Sequence, residues 1–168
     1  GQTKGDYVFS VAQHSLLVEQ MARTLSPGLG AQEQLCILLH DAAEYVIGDM
    51  ISPFKAVIGE SYKGVEKRLL AAIHIRFGLP AELDEAIERQ IKAADRGAAY
   101  LEATCLAGFT KAEAKRLFAD AQKLLARIVA VRSIARSSRI PSGIWARSWG
   151  RTSRTLSTVR MMLAAGCR

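Results

Sequence analysis

Cysteine and long apolar runs are scarce in this 168-residue sequence, and each scarcity excludes a class of protein. The three cysteines, Cys36, Cys105 and Cys167, are too few and too irregularly spaced for a disulfide framework or a thiolate zinc site. No apolar run reaches the roughly 18 residues that a membrane-spanning helix needs, and no secretory signal pattern is present. The sequence therefore predicts a cytoplasmic protein with no membrane partner.

Acidic residues and lysine are absent from the last part of the chain. Residues 124–168 contain nine Arg and no Lys, Asp or Glu, whereas residues 1–123 contain 14 Lys and Arg against 16 Asp and Glu. The net charges are +9 and −2. We therefore predict a folded domain over residues 1–126 and a poorly packed, Arg- and Ser-rich basic tail over residues 127–168.

Besides a disordered extension, two other interpretations of this tail stay open. Trp145 and Trp149 lie among arginines, as in segments that stack on nucleic-acid bases. The Ser-, Gly- and Pro-containing composition favours a disordered cationic extension, and no nucleic-acid partner is expected. The abrupt change of composition is also typical of a G+C-rich gene read out of frame near its end.

Strand-like alternation is missing too, and the apolar spacing throughout the first 126 residues is that of amphipathic helices. Stop signals such as Ser26-Pro27-Gly28 and Gly78-Leu79-Pro80 divide the pattern. The sequence predicts a compact all-α bundle of about five to six helices with a basic C-terminal extension. The predicted helices span about 9–25, 31–47, 60–77, 80–105, and from the Thr110 capping box to near 135.

Four ionisable residues interrupt these apolar helices: His14, the adjacent pair His40 and Asp41, and Asp95. Burial of ionisable side chains is costly unless it is compensated, and a bundle core can bring residues from different helices to one metal ion. Two imidazoles and two carboxylates therefore predict one divalent ion. This ligand set does not select among manganese, cobalt, magnesium, iron, nickel and zinc. The third histidine, His74, is predicted to be a structural or surface residue.

The segments around these residues resemble a known family. Residues 10–15, SVAQHS, residues 39–44, LHDAAE, and residues 92–95, KAAD, are similar to the HD-domain metal-dependent phosphohydrolases, in particular the 5′-deoxynucleotidase branch. The resemblance covers about residues 6–123. It implies an HD-domain helical bundle, one divalent metal ion on His14, His40, Asp41 and Asp95, and catalytic roles for Glu44 and Asp49. A homodimer is compatible with the resemblance.

The spacing gives these implied roles a chemical meaning. Glu44 follows His40 by four residues and Asp41 by three, so a continuous helix would place all three on one side. A bound divalent ion would supply a water nucleophile near neutral pH, which Glu44 would orient or deprotonate, while Asp49 would protonate the leaving oxygen. The alternatives are a solvated Glu44 and a capping or loop role for Asp49.

Lys55 and Lys92 are the candidates for holding the substrate phosphate, although both would also suit an ordinary surface. Relatives in the nucleotidase branch carry an Arg-Trp pair before the first histidine segment. No such pair precedes it here, and because the chain opens on Gly1 we expect the parent protein to be longer.

The sequence thus predicts a metal-dependent phosphomonoesterase that removes phosphate from nucleoside 5′-monophosphates, with a small-molecule nucleotide as its partner. The main alternative is a catalytically silent HD-type module that binds a nucleotide or serves regulation. Hydrolysis of a guanosine polyphosphate is less favoured, because the residues after Asp41 lack the paired Glu-Asp of that branch.

Overall fold

A computed structural model of the chain describes residues 3, 8–48, 50, 52–121, 123–124 and 126. These residues form seven helices and contain no strand, which confirms the all-α prediction. Asp49, Cys167 and the predicted tail with Trp145 and Trp149 lie outside the described residues. The helices are α1 (Val11–Leu25), α2 (Ala31–Leu38), α3 (Glu44–Ile47), α4 (Ser52–Ile58), α5 (Glu60–Arg76), α6 (Glu85–Cys105) and α7 (Lys111–Leu117).

Side chains fix the starts of the helices that carry the site. The Ser10 hydroxyl accepts a hydrogen bond from the Gln13 N–H at 3.3 Å, and the Gln13 side chain accepts from the Ser10 N–H at 2.9 Å, which closes a capping box on α1. The Asp84 carboxylate accepts from the Ile87 N–H at 2.9 Å and starts α6. These caps fix where α1 and α6 begin relative to His14 and Asp95.

The core lies mainly between α1 and α6. Leu17, Val18 and Met21 of α1 are fully buried, and they belong to one apolar cluster with Ala94 and Ala98 of α6. The small alanine side chains allow the two helices to approach closely. This packing holds the first turn of α1 beside the middle of α6, where the ionisable residues lie.

The predicted continuous helix over residues 31–47 is wrong, because α2 ends at Leu38 and a turn follows before α3. The Ile37 carbonyl accepts from the His40 backbone N–H at 3.3 Å, which is the three-residue spacing of a turn, and from His40 Nδ1 at 2.9 Å. The Asp41 carbonyl likewise accepts from the Glu44 N–H, three residues on. His40, Asp41 and Glu44 therefore do not lie on one side of a continuous helix.

Two other predicted boundaries also move. Residues 80–84 precede α6, because Asp84 caps the helix that was predicted to open at Pro80. The helix that begins after the Thr110 capping box ends at Leu117, and a turn at Phe118 precedes the helical residues that follow. The helix α4 was not predicted at all. By contrast, α5 ends within one residue of its predicted limit.

Among the described residues, no helix is both long enough and apolar enough to cross a membrane.

His74 is buried in α5, and neither of its ring nitrogens makes a hydrogen bond within the described part of the chain. Burial lowers its pKa, although the nearby Pro80 backbone acts in the opposite direction. The prediction of a structural role for His74 is consistent with this neutral, buried environment. Cys36 is buried and free.

Candidate metal centre

The imidazole of His14 lies where the first turn of α1 meets α6. Its Nε2 atom is 3.2 Å from Asp95 Oδ1 and 3.4 Å from Asp41 Oδ2. On the other side of the ring, Nδ1 is 2.7 Å from Glu102 Oε1. A proton on Nδ1 donated to Glu102 leaves the Nε2 lone pair for a ligand that Asp41 and Asp95 also face.

The His40 ring, like that of His14, directs its Nε2 atom toward Asp41. Its Nδ1–H donates to the Ile37 carbonyl at 2.9 Å, which leaves Nε2 as the free nitrogen. His40 Nε2 lies 3.3 Å from Asp41 Oδ2, yet it is buried and has no hydrogen-bond partner in the described part of the chain. The two imidazole rings are tilted against each other, with centroids 5.3 Å apart. A buried nitrogen lone pair without a donor is a free-energy cost that a cation would remove.

His14, His40 and Asp41 form a group whose ligand atoms all lie within 4.8 Å of one another. Asp95 stands beside this group rather than within it, since its contact is with His14. The structure therefore brings the four predicted ligands to one place, three of them at coordinating spacing. Nitrogen and oxygen donors of this kind suit a first-row divalent ion.

Glu102 is the residue that the sequence did not single out. It lies 88 positions from His14, and its carboxylate accepts the hydrogen bond that orients the His14 ring. A carboxylate behind a ligating histidine is a common outer partner of metal sites, where it fixes the tautomer and raises the basicity of the ring. One signal was available: Glu102 follows Asp95 by seven residues, which is two turns along the same face of α6.

The surrounding charges set the protonation of the group in the absence of a cation. Burial lowers the pKa of His14, but its hydrogen bonds to Asp95 and Glu102 and their charges outweigh burial and raise that pKa to about 10. Burial raises the pKa of Asp41, yet the contact with His40 and the charges of His40, His14 and Lys55 hold it below its usual value. The carboxylates thus attract a cation, and a proton on His14 fills that role when no metal is present.

The other predicted site residues take different positions. Glu44 opens α3, and its carboxylate receives the Lys55 ammonium at 3.2 Å. Lys55 also contacts Glu66 at 2.9 Å, so its amine pairs with two carboxylates of the protein. Lys92 is exposed, and its amine lies 3.7 Å from Glu88. Asp49 lies outside the described residues.

Comparison with known proteins now identifies the family. The model of the HD domain matches residues 11–132, which is more than half of the chain. The chain belongs to the HD-domain family. It is also 54% identical over 132 residues to an uncharacterised protein of Rhodobacter capsulatus, a match that covers 79% of this chain and 67% of that protein.

Membership of this family confirms the predicted HD-domain phosphohydrolase superfamily. HD domains bind divalent metals, and the donor set fits such an ion, because two anchored imidazoles present Nε2 atoms to a carboxylate that is held in its charged form. The residues that would hold the ion are His14, His40 and Asp41, with Asp95 adjacent. The name of the relative assigns no substrate.

Proposed function

We propose that this HD domain is a metal-dependent phosphomonoesterase that removes phosphate from nucleoside 5′-monophosphates in the manner of a 5′-deoxynucleotidase. The observation that carries the proposal is the buried His40 Nε2, which has no hydrogen-bond partner in the described part of the chain and faces the His14 and Asp41 ligand atoms. The nucleotide specificity rests on the resemblance of the segments around His14, His40 and Asp95.

The proposed roles divide the reaction among residues of this chain. A divalent ion bound by His14, His40, Asp41 and Asp95 would supply an acidified water as the nucleophile. Glu44 would accept the proton of that water, because it opens the short helix directly after the turn that holds His40 and Asp41. Asp49 would return a proton to the departing nucleoside oxygen, a role that comes from the resemblance alone.

The phosphate needs cations or backbone donors near the ion. Lys92 has an exposed amine one turn before Asp95, so it stays a candidate for this role. Lys55 could reach a phosphate only by leaving Glu44 or Glu66, which makes it the weaker candidate. A homodimer and a cytoplasmic location also remain predictions.

The test is phosphate release from a panel of ribo- and deoxyribonucleoside 5′-monophosphates. The 168-residue protein is stripped of metal and supplied separately with manganese, cobalt, magnesium, iron, nickel or zinc. We expect release with at least one metal that disappears in Asp41→Ala and Glu44→Gln. Glu85→Gln on α6 is the matched control, since the Glu85 carboxylate is exposed and pairs with Arg89, which has no proposed role in the site, and we expect this variant to keep its activity.

Metal retention separates the two functional classes. A phosphatase should lose turnover in Glu44→Gln while it binds metal as tightly as the wild type. A folded, metal-loaded wild type that releases no phosphate from any nucleotide would contradict the proposal. In that case the catalytically silent nucleotide-binding or regulatory module would be the better description.

A further inference from the structure

The ammonium of Lys55 connects three helices next to the metal centre. Lys55 lies in α4, and its Nζ atom is 3.2 Å from Glu44 Oε1 of α3 and 2.9 Å from Glu66 Oε1 of α5. The same amine lies 5.6 Å from the centroid of the Tyr62 ring. These contacts hold the amine on several sides.

Partial burial distinguishes the cluster of Glu44, Lys55 and Glu66 from an exposed ion pair made by α5. The side chains of Glu44, Lys55 and Glu66 are 10%, 26% and 29% exposed. Lys67 and Glu82 form a pair with the same 2.9 Å separation, but their side chains are 74% and 75% exposed. Exposed pairs of this kind contribute little to geometry or stability, whereas a pair shielded from water keeps its partners in place.

The cluster is joined directly to the turn that carries the ligands. The Glu44 backbone N–H donates to the Asp41 carbonyl at 3.0 Å, so the Glu44 side chain begins where the ligand turn ends. Its carboxylate accepts a hydrogen bond from the Lys55 ammonium at 3.2 Å. Glu66 accepts a second hydrogen bond from the Lys55 ammonium and so shares its positive charge. Lys55 can therefore hold the Glu44 carboxylate without fully neutralising the negative charge of that carboxylate.

We propose that Lys55 and Glu66 form a positioning pair that holds the Glu44 carboxylate toward the metal centre, rather than a phosphate-binding site. This inference rests on the proposed function, because it takes Glu44 as the proton acceptor. Lys55 acts through Glu44 and does not touch the substrate. Glu66 acts one step further away, through Lys55.

The experiment uses the full chain and the most active metal and nucleotide of the panel. The variants are Lys55→Met, the conservative Lys55→Arg, Glu66→Gln, and the double variant Glu44→Gln/Lys55→Met. Lys67→Met is the matched control, since it removes an equally short but exposed ion pair of α5. The readouts are kcat, KM, the metal dissociation constant and the carboxyl ¹³C resonance of Glu44, assigned by its loss in Glu44→Gln.

We expect Lys55→Met to lower kcat about 10- to 100-fold, the range for loss of an outer-shell partner. KM and the metal dissociation constant should stay within about twofold, Lys55→Arg should recover part of kcat, and Glu66→Gln should give a smaller loss. The double variant should be no slower than Glu44→Gln alone, because residues that act as one unit are not additive. Lys67→Met should match the wild type.

Two kinetic results would overturn the inference. A rise in KM with unchanged kcat, or a double variant whose losses multiply, would place Lys55 on the phosphate. The resonance of Glu44 decides independently of turnover: it must move in Lys55→Met and Glu66→Gln and stay in place in Lys67→Met. If the wild type releases no phosphate, the proposed function fails, while an unmoved Glu44 resonance would show that the positioning pair itself is wrong.

Discussion

At the residue scale, the carboxylate of Glu102 determines which nitrogen of His14 is available to a metal. Replacing Glu102 by Ala removes the acceptor at 2.7 Å from Nδ1 and frees the ring to rotate or change tautomer. We expect metal affinity to fall about 10- to 100-fold, as measured by competition with a fluorescent chelator. Glu102→Gln keeps an acceptor oxygen and should lose less.

The control for Glu102 lies on the same helix. Glu88→Gln changes an exposed carboxylate of α6 that contacts only Lys92 among the described residues, so its metal affinity should equal that of the wild type. Equal affinities for Glu102→Ala and wild type would show that His14 needs no outer partner.

A second prediction concerns the proton on His14. Its pKa is raised from 6.5 to about 10 in the metal-free fold. The charged ring therefore stabilises the metal-free fold fully below pH 6.5, and this stabilisation is lost as pH rises toward 10. A metal on Nε2 must displace that proton, so binding near pH 8 should release about one proton and tighten as pH rises. Calorimetry in buffers of different ionisation enthalpy counts the proton, and binding without proton release would contradict the assignment of Nε2 as the ligand.

At the element scale, α6 carries a glycine that the close approach of α1 requires. A Cβ on Gly97 would collide with the Met21 sulfur and lie 2.8 Å from Leu124 Cδ2. A Cβ on Gly64 in α5 would lie in open space, with no atom within 4 Å. Alanine favours a helix interior by about 1 kcal/mol over glycine, but overpacking a core costs about 1–3 kcal/mol.

Alanine substitution at these two glycines should therefore change the free energy of unfolding in opposite directions. Gly64→Ala is expected to raise the free energy of unfolding by about 0.5–1 kcal/mol, and Gly97→Ala to lower it by about 1 kcal/mol, as measured by urea denaturation. An equal gain in both variants would mean that Met21 and Leu124 move aside without cost.

Elements with strong local signals could be predicted from the sequence, and those shaped by distant contacts could not. The apolar period predicted α1, and the Thr110 capping box predicted the start of α7. At the break between α2 and α3 the His40 ring bonds to the Ile37 carbonyl, a contact that no apolar period encodes. The four ligands were found because buried charges stand out in apolar helices, whereas Glu102 and Glu66 look like ordinary helix carboxylates until the helices are packed.

At the scale of the whole molecule, the predicted ligands come from three separate parts of the chain. His14 lies in α1, His40 and Asp41 lie in the turn after α2, and Asp95 lies in α6. The apolar core already joins α1 to α6, while the ligand turn leads into α3, whose Glu44 is tied to α4 and α5 through Lys55. A metal ion at this junction would bind only the folded chain, because unfolding separates its ligands.

Metal binding should therefore stabilise the fold by mass action. At a free metal concentration 100 times the dissociation constant, the gain is about 2.7 kcal/mol, which corresponds to a rise in Tm of roughly 5–10 °C for a domain of this size. His40→Ala and Asp41→Ala should melt at the same temperature with and without metal. His74→Gln is the control, because His74 is buried outside the group of potential ligands among the described residues, and its metal-dependent rise should equal that of the wild type even if its own stability is lower. A full rise in His40→Ala would instead mean that the stabilising ion binds elsewhere, and the buried His40 nitrogen would then need a different explanation.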